Sequence, residues 1–262
     1  MAEGSMFTAL VTIGRAYSHV TSPFAFLARR FVCAAADRVE GSAMYCLDIG
    51  AGTAPYRELV CRAFRVSQYI TTDIAPTNRT QVVADACSLP LRYSSVDLVV
   101  SFDAIQHVSQ PDSMMVEIAN VLRPRGHVLL TFPFLYAECD FHDYQRWTME
   151  GMEHLLARNG LVPVLAVRRG GRLFTAACAL NWTMQHAIPG QRRSWRPERS
   201  LTGTLRSIAL IVLTTPTIVL AWLALMMDRA FPSRGCYMGG AILACKAEKP
   251  EATSDKHLKM KG

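Results

Sequence analysis

None of the eight cysteines is spaced as C-x-x-C and none of the seven histidines as H-x-x-x-H, so neither common zinc-ligand pattern is present and no metal is expected. The cysteines, at positions 33, 46, 61, 87, 139, 178, 236 and 245, are scattered. Cys46 and Cys245 fall inside strand-like apolar runs, which favours buried reduced thiols over disulfides and points to a cytoplasmic compartment. No basic residue precedes Arg15, and Phe7 to Ile13 lacks the long apolar core and cleavage site of a signal peptide, so no export signal is expected. Internal repeats and long low-complexity tracts are also missing. Acid is scarcer than base, 21 Asp and Glu against 28 Lys and Arg. That surplus suits an anionic surface, but it is common on proteins with no nucleic-acid role, and no nucleic-acid partner is expected.

With 262 residues, 50% of them hydrophobic, the chain can bury a full core and is sized for one domain with an embellishment. From Phe24 to Val39 apolar residues recur at helical spacing, with Arg29, Arg30 and Arg38 left for the wet side. After it, short β-rich runs (44–49, 68–73, 81–84, 96–102, 127–132, 161–167) alternate with helical patterns such as 113–122 and 149–159. Strands apolar on both faces and separated by helices predict a parallel sheet covered on both sides. A last strand-like run, "YMGGAILACKA", spans 237–247. The predicted organisation is an N-terminal helical region over 1–43, a main domain over 44–249 that includes an insertion at 170–235, and a polar tail over 250–262.

The insertion is far longer than an ordinary connection. It holds the basic run "QRRSWRPERS" and then "SIALIVLTTPTIVLAWLALMM", 207–227, with no charge in 21 residues. As a straight helix this reaches roughly 30 Å, the thickness of a bilayer core. A single span would deliver the last strand to the wrong side of its own sheet, however, and Pro216 near the middle predicts a turn between two halves, making a shallow hairpin. The readings are a monotopic contact with an anionic membrane, flanked by Arg192, Arg193, Arg196, Arg199, Arg206, Arg229 and Arg234, or a buried cap, or a homodimer contact.

The run "YCLDIGAGTAPYRELV", 45–60, joins a strand, two glycines one residue apart and a helix. In an open parallel sheet a ligand lies outside the carboxyl ends of the strands, and the first turn brings its backbone close only where side chains are small, as at Gly50, Ala51, Gly52 and Ala54. An acid at the end of the second strand, Asp73, is placed to accept from ribose hydroxyls. The stretches "LDIGAGTAPY", "YITTDI", "VVADACSLPLRYSSVDLVVSFDAIQHV" and "EIANVLRPRGHVLLTFP" resemble, in order and spacing, the class I S-adenosylmethionine-dependent methyltransferases over roughly 44–168. The likeness is greatest to the bacterial type 11 branch, some of whose members act in glycan and lipid biosynthesis and carry a segment like "HDYQRWTMEGMEHLLARNGL".

The resemblance implies an α/β, Rossmann-like seven-stranded sheet in the order 3-2-1-4-5-7-6, mostly parallel with an antiparallel seventh strand, here with a hydrophobic helical insertion between strands six and seven. It implies S-adenosyl-L-methionine as cofactor. Gly50 and Gly52 would line its methionine part with Asp48 near the amino group, Asp73 would hold the ribose, Asp85 and the Ala86 backbone would face the adenine, and Phe102 would lie beside the sulfonium. Ala54 replaces the family's common third glycine, and Gln106 stands where Glu is frequent, keeping hydrogen bonding but not charge. His107, His142, Asp143 and Tyr144 are the candidates for acid–base work, with His142 and Asp143 put forward, a structural reading open for each, and His107 read as structural; Arg146 is expected to pair with Asp143 and Thr148 to cap the next helix. The expected activity is O-methylation of a lipid or lipid-linked saccharide at the cytoplasmic face of a membrane. The alternatives are a non-catalytic cofactor-binding or assembly protein, and a soluble small-molecule methyltransferase that dimerises through the apolar insert.

Overall fold

The computed structural model of the chain describes residues 23–41, 44–138, 142–186, 201–232 and 235–247, with side chains described throughout except at 185–186 and 201–211. The stretch 7–13, Cys139, the arginines at 192–199, Arg234 and the tail after 250 lie outside these residues.

Helix α1 (Pro23–Ala36) follows the predicted periodicity: Ala28, Phe31, Val32 and Ala35 are buried, while Arg29 and Arg30 face outward. The strands are β1 (Met44–Ile49), β2 (Val66–Asp73), β3 (Val82–Val83), β4 (Val96–Phe102), β5 (Leu122–Pro133), β6 (Leu161–Arg169) and β7 (Gly239–Lys246). They form one sheet in the order β3-β2-β1-β4-β5-β7-β6. β1 to β5 pair in parallel, and β7 runs antiparallel to both β5 and β6. Order and directions are those expected from the sequence.

Two cores cover the two faces. On one, α3 (Pro111–Val121) and α4 (Met149–Arg158) pack Met114, Met115, Ile118, Leu155 and Leu156 against Leu47, Val99, Leu130 and Ile242. On the other, α1 and α2 (Arg57–Ala63) pack Phe31, Val32 and Val60 against Cys46, Leu98, Leu129 and Leu243. β4 is therefore apolar on both faces, as a doubly covered parallel strand must be. The chain turns to opposite sides of β1 to make β2 and β4, so a crevice opens at the carboxyl ends of β1 and β4, the switch point where such sheets bind ligands.

Between β6 and β7 lie α5 (Arg172–His186) and α6 (Leu201–Ala230). The expected turn at Pro216 is absent: α6 runs through it as one helix of 30 residues. A mid-helix proline costs about 3 kcal/mol, and the packing of Ala221, Ala224 and Leu225 against Phe174 and Ala177 of α5 offsets it. Thr217 adds a side-chain hydrogen bond to the Thr214 carbonyl at 2.8 Å beside the proline. α5 and α6 instead pack against each other, Phe174 and Ala177 near the start of one meeting Ala221, Ala224 and Leu225 towards the end of the other. Asp228, near the end of α6, accepts from the backbone N–H groups of Leu173 (3.1 Å) and Phe174 (2.8 Å) at the start of α5, so the two ends of the insertion meet.

Candidate active site

The turn after β1 holds Gly50 and Gly52 at φ +68 and +53. A Cβ on Gly50 would stand 2.6 Å from the Ala104 Cβ, so conformation and space both demand glycine there. Ala54 takes the same left-handed region at φ +50, where the family commonly has glycine, at a cost of roughly 1–2 kcal/mol. Asp73 fastens the turn: Oδ2 accepts from the Gly52 N–H at 2.8 Å and Oδ1 from the Ala75 N–H at 3.0 Å. Each oxygen keeps a lone pair for a further donor.

Two cavities meet over this turn. The larger, about 690 Å³, runs past Asp73, Asp85, Ala86 and Cys87 and is bounded by His142 and Tyr144. The smaller, about 260 Å³, is lined by Asp48, Gly52, Tyr56 and Phe102. They share Gly50 and Asp103. A ligand made of a nucleoside joined to an amino acid fits this division, with the nucleoside beside Asp73 and Asp85 and the amino acid beside Asp48. Asp85 also accepts from the Cys87 N–H at 2.8 Å, so it shapes its own turn while lining the cavity. The Phe102 ring packs on Tyr56 with centroids 4.5 Å apart, closing the small cavity on one side.

Asp48 is almost fully buried. Burial pushes its carboxyl up to about 7; the Tyr69 hydroxyl, donating to Oδ2 at 2.7 Å, pulls it down, and neighbouring Asp73 adds to the rise. A carboxyl whose folded pKa lies above its unfolded value stabilises the fold by holding a proton. That contribution is complete below about pH 4, is lost as pH rises through about 7, and amounts to a few kcal/mol as an upper bound. Asp48→Asn keeps an oxygen for Tyr69 and cannot ionise. Relative to wild type it is expected to raise the unfolding temperature several degrees more at pH 8 than at pH 5; an equal change at both pH values would show that Asp48 is not ionising in that interval.

The loop before α4 is clasped to the loop after β4. Tyr144 donates its backbone N–H to the Gln106 carbonyl at 2.9 Å. His107 Nδ1 lies 3.2 Å from the His142 carbonyl, which can only accept, so Nδ1 carries the proton and Nε2 accepts from Gln106 Nε2 at 3.2 Å. The Gln106 amide is oriented by its donation to the Asp103 carbonyl, leaving the buried Oε1 without a partner among the described residues. His142 has φ +46, and its Nδ1 is 3.1 Å from the Tyr144 hydroxyl. The sequence candidates His142 and Asp143 thus face different surroundings: His142 lines the large cavity, whereas Asp143 is bound by both terminal nitrogens of Arg146, its side chain 2% exposed. Thr148 caps α4 as expected, accepting from Gly151.

Two residues that the sequence did not single out complete the site. Asp103, at φ +49, stands where the cavities join, and Arg169 at the end of β6 grips its carboxylate. The pair is 66 positions apart, and nothing local announces it.

Residues 47–130 match the family described as Methyltransferase domain. A malonyl-acyl-carrier protein O-methyltransferase from Methylococcus capsulatus is 35% identical over 95 residues, which is 31% of this chain and 34% of that one. The chain therefore spans about a third of the curated relative it matches. Among solved structures, phosphoethanolamine N-methyltransferase 2 of Haemonchus contortus, in complex with phosphomonomethylethanolamine and S-adenosylhomocysteine, aligns over 83% of this chain and 52% of its own at TM-score 0.51 and 16% identity. The 4+2 cyclase SpnF aligns over 84% and 81% at TM-score 0.54 and 17% identity, so this fold also hosts other chemistry. The sequence match centres on the glycine turn and the first five strands, where the crevice is built, and the fold continues the likeness through β7. The sequence match over residues 47–130, about a third of the chain, and the fold that extends beyond it are what this chain shares with the class I S-adenosylmethionine-dependent methyltransferases.

Proposed function

We propose that this protein methylates an oxygen of a lipid, or of a saccharide carried by a lipid, at the cytoplasmic face of a membrane. The family's cofactor supplies a methyl group on a positively charged sulfur. A hydroxyl accepting that methyl group would release its proton to a base on this chain as the neutral thioether departs. Of the candidates, His107, His142 and Tyr144 line the cavity; both ring nitrogens of His107 are engaged by Gln106 and the His142 carbonyl, and His142 takes that role, with Tyr144 on its Nδ1 side. Asp143 supports the loop through Arg146. Asp73 would hold the ribose, Asp85 and Ala86 the adenine end, and Gly50, Gly52 and Phe102 the methionine end; an ammonium beside Asp48 would offset the cost of ionising that carboxyl.

The observation that carries the membrane reading is the inverted face of α6. Its covered side bears small or polar residues, Thr214, Thr217, Ala221, Ala224 and Asp228, with Leu225. Its large apolar side chains point outward: Val212 and Met226 are 64% and 63% exposed, and Leu220, Leu223 and Met227 join them. A helix packed for water carries the opposite arrangement, and one that meets lipid carries this one. The apolar stretch Val212–Ala230 is long enough to cross a bilayer, yet its two ends belong to one sheet-anchored insertion, which favours a helix lying in the interface. Arg30 and Arg229, both exposed and each 5.9 Å from the Phe26 ring, bring positive charge to the same end and suit anionic headgroups. The relative matched by sequence is by name an O-methyltransferase, which supports oxygen as acceptor.

The test incubates the protein with methyl-labelled cofactor and a membrane lipid extract, and identifies labelled product. Transfer to a lipid is expected, and His142→Ala should lower turnover about a hundredfold or more with cofactor affinity little changed. Label on water-soluble acceptors alone would favour the soluble enzyme, cofactor binding without transfer to any acceptor the non-catalytic reading, and undiminished turnover in His142→Ala would return that residue to structure.

A further inference from the structure

Of the two residues at the junction of the cavities, Gly50 has no side chain, so Asp103 alone places one there. In a molecule with its nucleoside in one cavity and its amino acid in the other, the sulfur that joins them lies at that junction; this step rests on the family's cofactor. The Asp103 carboxylate is not left to find its own position. Arg169 meets it with a two-pronged grip, Nη1 on Oδ2 at 3.0 Å and Nη2 on Oδ1 closer still, and Nη2 also donates to the Phe132 carbonyl at 3.0 Å. Arg169 is 1% exposed, the largest fully buried side chain among the described residues. Its guanidinium carbon stands 4.1 Å from the Phe24 ring centroid, and its Nε lacks a partner among the described residues.

This arrangement is a poor device for stability. Burying an arginine with one donor unsatisfied costs free energy that an apolar side chain at the end of β6 would not, and Asp103 adopts a left-handed backbone besides. What the pair achieves is a carboxylate fixed at one point, with a lone pair on each oxygen still free to face the cavity. We propose that Arg169 is a positioning residue that presents the Asp103 carboxylate to the sulfonium, so that the protein holds cationic S-adenosylmethionine in preference to its neutral thioether product.

The test measures dissociation constants for S-adenosylmethionine and S-adenosylhomocysteine by calorimetry and needs no methyl acceptor. Asp103→Asn keeps shape and removes charge. Because the Arg169 charge offsets part of the attraction, the expected loss of preference for the sulfonium is about five- to tenfold. Arg169→Met should lose a similar share by releasing the carboxylate, and the double variant Asp103→Asn/Arg169→Met should lose no more than either alone. A cofactor-site residue remote from sulfur, tested as Asp73→Ala, should weaken both ligands alike. A merely structural Arg169 would lower the unfolding temperature and leave the ratio of the two constants unchanged, and that unchanged ratio, or a raised one, overturns the proposal. Should Arg169→Met fail to fold, the near-isosteric Asp103→Asn decides alone. Wild-type protein that binds neither ligand would sink the cofactor reading itself, an outcome distinct from tight binding with an unaltered ratio.

Discussion

Asp73→Ala is expected to weaken S-adenosylhomocysteine binding by roughly ten- to a hundredfold, about 1.5–3 kcal/mol. Two losses contribute. The carboxylate at the end of β2 would accept from the ribose hydroxyls, and charge-assisted bonds of this kind are among the stronger ones in a site. The same carboxylate holds the glycine turn through the Gly52 N–H at 2.8 Å, so its removal also loosens the floor on which the ligand rests. Asp73→Asn separates the two, since the amide oxygen can still accept from Gly52 but carries no charge; its loss should fall between wild type and alanine. Calorimetry on variants that unfold cooperatively checks the order. Wild-type affinity in folded Asp73→Ala would remove Asp73 from the cofactor site.

The second large effect concerns α6. Leu220, Leu223 and Met227 are about half exposed on its outer face, and each contributes roughly 1 kcal/mol if the membrane covers it. Replacing all three by Gln, which suits a helix equally well, is expected to lower partitioning onto anionic vesicles by roughly a hundredfold while leaving S-adenosylhomocysteine affinity unchanged. Deleting the whole apolar run is a worse experiment, because Ala221, Ala224 and Leu225 on the inner face pack against α5. Wild-type binding should weaken as salt rises, since part of it comes from arginines such as Arg30 and Arg229. Protease should cut before α6 and after β7 from the same side of a sealed vesicle. Cleavage from opposite sides would establish a single span, and a lipid-indifferent protein whose dimer is broken by the triple substitution would establish an interface between copies instead.

The covered parallel strands, the glycine turn and the acid at the end of β2 were legible in the sequence because each is a local requirement, whereas the strand order came from the resemblance to a known family. A doubly covered parallel strand must be apolar on both faces, a turn that approaches a ligand must be small, and the residue at a strand's carboxyl end has only one place to be. Thr148 and the Asp143–Arg146 pair were legible for the same reason, their partners lying three residues away. The tertiary structure alone decided the rest. α6 carries apolar side chains on every side, so hydropathy could not say which face would be covered, and the local cost of Pro216 suggested a turn that packing on α5 removed. The Asp228 clasp at the start of α5 and the Arg169 grip on Asp103 join residues 54 or more positions apart. Such pairs arise only when β7 joins β5 to β6 and the two ends of the insertion meet, since a side chain's partner at that range is selected by packing and not by its neighbours in the chain.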